Sequence, residues 1–218
     1  MQSNYLHKDW GTSLLENCFV MYPKTLGSEL MKYAVIELVM AGVLTLKREK
    51  KRPNAQAPIT RYFYLKKGPN YAQSKPKPYH SPIIRIFKHQ KDYLPIRNFG
   101  EKVAKYFDGN INYYKSNFVN HSMKKEGLLK SSFFIKIFSK KGKRVKKDLK
   151  SNFKYAEKKL NELLANNTRE AIGLINELDT DLILMDDLSH KSAKIIEHLR
   201  TDNTSGLHAN LDIRKINF

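Results

Sequence analysis

Between Ser28 and Leu46 the chain reads SELMKYAVIELVMAGVLTL, a run that constrains the fold more than any other stretch. Leu30, Ala34, Leu38 and Ala41 recur at the spacing of one helical face, and Met31, Val35 and Val39 fill the adjacent one. Two neighbouring apolar stripes predict a mostly buried helix, and Gly42 supplies its C-terminal stop. Val43-Leu44-Thr45-Leu46 follows, then a polar stretch holding Pro53 and Pro58, then Arg61-Tyr62-Phe63-Tyr64-Leu65, closed by Lys66-Lys67-Gly68. Two β-prone runs flanking a long polar loop predict a hairpin.

The same order returns further along the chain. A helix is expected from about Asn112 to Glu126, followed by Gly127-Leu128-Leu129, a turn at Lys130-Ser131-Ser132, the β-prone run Phe133 to Phe138, and Lys140-Lys141-Gly142. GVL…YFYLKKG and GLL…FFIKIFSKKG therefore read as two copies of one helix–hairpin unit, with the loop 11 residues shorter in the second. A helix stopped by Gly-[Val/Leu]-Leu, a hairpin running into Lys-Lys-Gly, and then a helix resembles the winged-helix fold of bacterial transcriptional regulators, over about residues 11–70 and 95–150. The resemblance implies nucleic-acid binding or, as in many such domains, protein contact.

The expected fold class is mainly α with small β-hairpins (α+β): two winged-helix-like units plus a C-terminal helical segment. The expected domains are 1–75 and 83–165, the second including a long basic amphipathic helix, and an acidic segment over 166–218. Pro69 to Pro82 holds four prolines and suits an extended connector. Lys143 to Leu164 predicts the long helix, with Val145, Leu149, Phe153, Ala156, Leu160 and Leu163 on one face and lysines over the rest. Such a helix, or the C-terminal segment, is a surface on which a homodimer could form. In the tail, Asn167 or Thr168 can cap a helix to about Leu178, and Asp181 to Met185 reads as a strand or short apolar helix. Ser189 can cap another helix to about Arg200, and a short strand is expected around Leu211 to Ile216.

Charge narrows the partner. Lys and Arg number 40 against 21 Asp and Glu, a net of +19. Residues 157–218 carry 8 basic and 11 acidic side chains, so residues 1–156 hold a net of +22. An excess of that size points to nucleic acid or an anionic membrane surface. Lys47, Arg48, Lys50, Lys51, Arg52 and Arg61 sit on the long polar loop of the first hairpin with few counter-charges, where they can reach phosphates. On the second helix, Lys115, Asn117, Asn120, His121, Lys124 and Lys125 mix cations with amides suited to base edges. Lys140, Lys141, Lys143 and Arg144 open the densest basic cluster, and lysines at a helix start are disfavoured by the dipole unless an anion is near.

Other functions find little in the sequence. The lone cysteine, Cys18, forms no internal disulfide and leaves no multi-cysteine zinc site, which fits a reducing compartment. Ala34 to Leu46 is too short for a membrane span and no signal-peptide pattern opens the chain, so a cytoplasmic address is expected. The seven histidines show no metalloprotease spacing, and phosphate-binding glycine loops and nucleophile elbows are absent. The chain is read as a non-enzyme without cofactor or metal, a surface cluster being the reading for His190, Asp186, Asp187 and His198. REAIGLINELDTDLILMDDLSHKSAKIIEHLR resembles one helix–strand–helix piece of a response-regulator receiver, with Asp186 at the phosphorylated position, but the remaining receiver pattern is missing. LMKYAVIELVMAGVLTL is also similar to the aliphatic helix of the Golgi phosphoprotein family, which implies a peripheral membrane protein binding phosphoinositide headgroups. The flanking motifs of that family are not evident.

Overall fold

The computed structural model describes residues 13–52, 54–56, 58–130, 137–178, 182 and 184. In chain order they form α1 (Leu14–Met21), α2 (Gly27–Met40), β1 (Leu44–Lys51), β2 (Thr60–Lys67), a 3-10 turn (Pro78–His80) and α3 (Ser81–Phe87). Then come β3 (Leu94–Pro95), α4 (Ile96–Tyr106), a π-helical turn (Tyr114–Val119) leading into α5 (Asn120–Lys125), α6 (Lys140–Asn166) and α7 (Thr168–Leu178). The described chain is mainly helical with one antiparallel sheet of order β1-β2-β3, an α+β architecture. No helix among the described residues is long and apolar enough to cross a membrane.

Contacts gather these elements into two compact units, Thr25–Glu126 and a second made of residues 13–24 with the described residues after Glu126. The α1 helix belongs with α6 in the second unit rather than with the α2 hairpin.

In the Thr25–Glu126 unit, α2 buries Leu30, Met31, Ala34, Val35, Ile36 and Leu38, as its double apolar stripe predicts. Its end is a Schellman motif: Gly42 N–H donates to Val39 O (3.0 Å) and Val43 N–H to Leu38 O (2.9 Å). Gly42 sits at φ +67°, a conformation that costs a residue with a Cβ. The hairpin follows at once, in register from Leu44↔Lys67 to Lys51↔Thr60. Its strands are longer than expected. Leu65↔Leu94 and Tyr64↔Pro95 add β3 to the other side of β2. Leu44, Leu65 and Leu94 are buried, and Phe87 stacks on Phe99 at 5.8 Å where α3 meets α4.

The proline-rich stretch expected to be an extended connector is tied into this unit. Asn70 Nδ2 donates to Ala41 O (2.8 Å) and Tyr71 Oη to Ile84 O (2.9 Å). Tyr79 Oη donates to Glu37 Oε2 (3.1 Å), and His80 Nε2 meets the same oxygen at 2.7 Å. His80 Nδ1 accepts from the Lys77 N–H (3.3 Å), so Nε2 carries the proton of the neutral ring and donates to Glu37.

In the other unit, Ser13 and Glu16 form a capping box that starts α1. α6 buries the six expected apolar residues, Val145 through Leu163. Its lower half packs against α7 through Ala156, Leu160, Leu163, Ala171, Leu174 and Leu178, and α1 also packs on it. Phe19 meets Phe138 edge-on at 6.4 Å. The apolar face of α6 is thus covered by α1 and α7.

The second hairpin is a single bridge, Leu129↔Phe138, among the described residues; 131–136 lie outside them. Two details of the repeat do recur. Gly127 takes φ +72°, as Gly42 does, and Leu128 and Leu129 are buried like Val43 and Leu44. A Cβ on Gly68 would clash with Gly42 O, and one on Gly142 with Leu128 O. The helix expected from Lys143 opens three residues earlier, at Lys140-Lys141-Gly142. These residues form the first turn of α6, capped by Ser139, whose Oγ accepts from Gly142 N–H (3.0 Å) and donates to Gly127 O (2.5 Å). In the tail, α7 spans nearly the expected range and Leu182 and Leu184 are buried. The expected helix from Ser189, the strand near Leu211, and Asp186, Asp187, His190 and His198 lie outside the described residues.

Candidate nucleic-acid interface

Strand alternation divides the hairpin cations between two faces. Lys47, Glu49 and Lys51 share one face of β1, opposite Tyr64, Tyr62 and Thr60 of β2; Arg48 and Lys50 lie on the other, opposite Phe63 and Arg61. Lys47 through Lys51 therefore belong to a strand and not to a loop, and only Arg52 stands beyond its end. The cause is continued cross-strand pairing as far as Lys51↔Thr60.

The expectation of few counter-charges also fails locally. Glu49 pairs with Lys47 at 2.6 Å and with Lys51 at 2.5 Å. Hydrogen bonds from the two ammonium groups lower the Glu49 pKa to about 2 and raise those of both lysines. Lys51 also lies over the Tyr64 ring at 5.4 Å and donates to its hydroxyl at 3.4 Å. Lys47 and Lys66 both lie over Tyr93, at 5.3 and 5.2 Å. This face is a patch of lysines and tyrosines that no run of charges in the sequence marks. Its legible signal was Tyr62-x-Tyr64-x-Lys66, one side of a strand.

The second helix is rearranged by its π-helical turn. A π turn takes more than four residues, so the positions after it rotate relative to an α-helical wheel. Tyr114 and Val119 both become fully buried, and Asn120, expected to read base edges, is 6% exposed with no partner for Oδ1 among the described residues. Lys115 is committed as well, donating to Thr25 O at 2.6 Å. Asn117, His121, Lys124 and Lys125 do face outward, beside the exposed Tyr113. Asn117 Oδ1 accepts from Ser116 Oγ at 3.3 Å.

Lys140, Lys141, Lys143 and Arg144 are all exposed on the first turns of α6. Arg144 makes a loose i,i+4 pairing with Asp148, at 3.8 Å. Beyond the predicted set, Lys147, Lys150, Lys154 and Lys158 are exposed too. With Lys143 they make a row at helical spacing, about 22 Å long at 1.5 Å per residue.

The predicted residues are thus divided between the units, the hairpin and α5 in one and α6 in the other. Residues 25–126 carry 20 Lys/Arg against 7 Asp/Glu, a net of +13. Among the described residues no group of three His, Cys, Asp or Glu is placed to hold a metal ion. No protein-family model, curated protein or solved structure matches this chain.

Proposed function

We propose that this chain binds nucleic acid, DNA in preference to RNA, chiefly through phosphate contacts made by the β1–β2 hairpin and the α6 lysine row. The single observation that carries the reading is the exposure of the cations: Lys47, Arg48, Lys50, Lys51 and Arg52 on the hairpin, and five lysines on one side of α6, all face solvent. Exposed ammonium and guanidinium groups at this density attract phosphate and release its counterions. A tandem winged-helix organisation is part of the proposal. Its support is the order helix, short strand, helix, helix and bridge, from α3 through β3, α4 and α5 to Leu129↔Phe138, together with the repeated glycine geometry. A cytoplasmic, non-enzymatic role goes with it.

Affinity for a DNA duplex, measured against salt, tests the reading. Log K should fall linearly with log salt, by about 0.9 for each phosphate neutralised. Affinity that stays flat, or no binding at low salt, removes it in favour of a protein-interaction module. Displacement of the DNA by anionic vesicles that bind more tightly would favour a membrane surface instead.

A further inference from the structure

On the sheet, the face shared by Lys47, Lys51, Tyr62, Tyr64, Lys66 and Tyr93 does more than concentrate charge. Register places Lys47 of β1, Tyr64 of β2 and Pro95 of β3 side by side across the three strands. Tyr62 lies two residues before Tyr64 on the same side of β2, and Tyr93 lies two residues before Pro95. Tyr93 is 37% exposed, and Tyr62 and Tyr64 are partly exposed. The lysines that flank these rings hold their ammonium groups over Tyr64 and Tyr93 at 5.2–5.4 Å.

We infer that this face is a stacking platform for single-stranded DNA, with unpaired bases on Tyr64 and Tyr93 and phosphates on Lys47, Lys51 and Lys66. The inference rests on the nucleic-acid reading above and deepens it. A duplex keeps its base faces stacked inside and can offer this surface only phosphates, whereas a single strand offers phosphates and free base faces together. The lysines occupy the ring faces through a contact that is weak at exposed positions. Their flexible stems let the ammonium groups swing out to phosphates as bases take their places. Glu49, between Lys47 and Lys51, keeps both lysines on this face in the free protein.

Fluorescence anisotropy with a labelled oligodeoxythymidine of about 12 nucleotides, and with a mixed-sequence duplex, tests the inference on the whole chain. Tyr93→Leu and Tyr64→Leu keep apolar bulk and remove the aromatic face; Tyr93→Phe and Tyr64→Phe keep it. The single strand is expected to bind more tightly than the duplex. Each leucine variant should lose about tenfold for the single strand, with the duplex unchanged and the phenylalanine variants near the parent. Circular dichroism checks folding, and Tyr93, the more exposed ring, decides the matter if Tyr64→Leu unfolds. Equal binding of both DNAs, with Tyr93→Leu bound like the parent, overturns the platform and leaves the nucleic-acid reading intact. Failure of both DNAs to bind at low salt overturns that reading as well.

Discussion

Glu49 illustrates how one carboxylate sets the working charge of a basic face. Its depressed pKa keeps it anionic well below neutral pH, so Lys47 and Lys51 are partly neutralised until phosphate competes for them. E49Q should therefore bind DNA more tightly and steepen the salt dependence, by about 0.9 for one further phosphate contact. A carboxyl with a lowered native pKa adds stability above the ordinary value of 4.5 and loses it as pH falls toward about 2. At an exposed site that contribution is small, so thermal unfolding of E49Q at neutral pH should match the parent. An E49Q affinity equal to or below the parent's would show that the pairs do not compete with DNA. The buried tyrosines make a second contrast. Tyr79 Oη donates to Glu37, whereas Tyr114 Oη is buried without a hydrogen-bond partner among the described residues, and desolvation holds its pKa well above the usual phenol value. Tyr79→Phe should cost about 1 kcal/mol, and Tyr114→Phe should cost nothing or stabilise by about 1 kcal/mol, because only the first deletes a made hydrogen bond. Urea midpoints compare them directly; equal losses would show that Tyr114 is satisfied.

At the scale of elements, what could be read in advance depended on whether a signal was local. The α2 helix, its Gly42 stop, the α6 apolar face and the start of α7 were legible because each follows from spacing within a few turns. The α1 helix was passed over although Ser13-Leu-Leu-Glu16 is a capping-box pattern, because an eight-residue helix offers little periodicity. Strand length was not legible, since Lys47 to Lys51 read as polar loop and are held in the strand by their partners on β2. Nor was the fate of Asn120, whose inward turn depends on the π-helical turn before it. The earlier start of α6 had a visible signal in Ser139, three residues before Gly142. Ser139→Ala should lower stability by about 1 kcal/mol, since the hydroxyl serves both the first turn of α6 and Gly127 O. A variant as stable as the parent in a urea titration would show that water replaces the cap.

For the whole molecule, the contact that brings α1 to α6 joins residues more than a hundred positions apart, and no periodicity in either segment announces it. Charge, by contrast, was legible as a total and only partly as a surface, because burial decides which cations reach solvent. α6 gives the clearest case: Lys143, Lys147, Lys150, Lys154 and Lys158 all face outward, opposite the apolar residues that hold the helix down. Changing these five to glutamine keeps side-chain length and helix propensity, so folding should survive. If they contact phosphate, the variant should lose affinity about equally for all duplex sequences, and its salt slope should flatten by up to about 4.5, that is 0.9 for each of five contacts. Asn117→Ala makes the opposite prediction. A neutral amide releases no counterion, so this change should leave the slope alone and reduce discrimination between sequences, as scored by selection from a randomised duplex pool. An α6 variant with the parental slope would confine the polyanion surface to the Thr25–Glu126 unit. A parent that selects no sequence would take Asn117 out of base recognition.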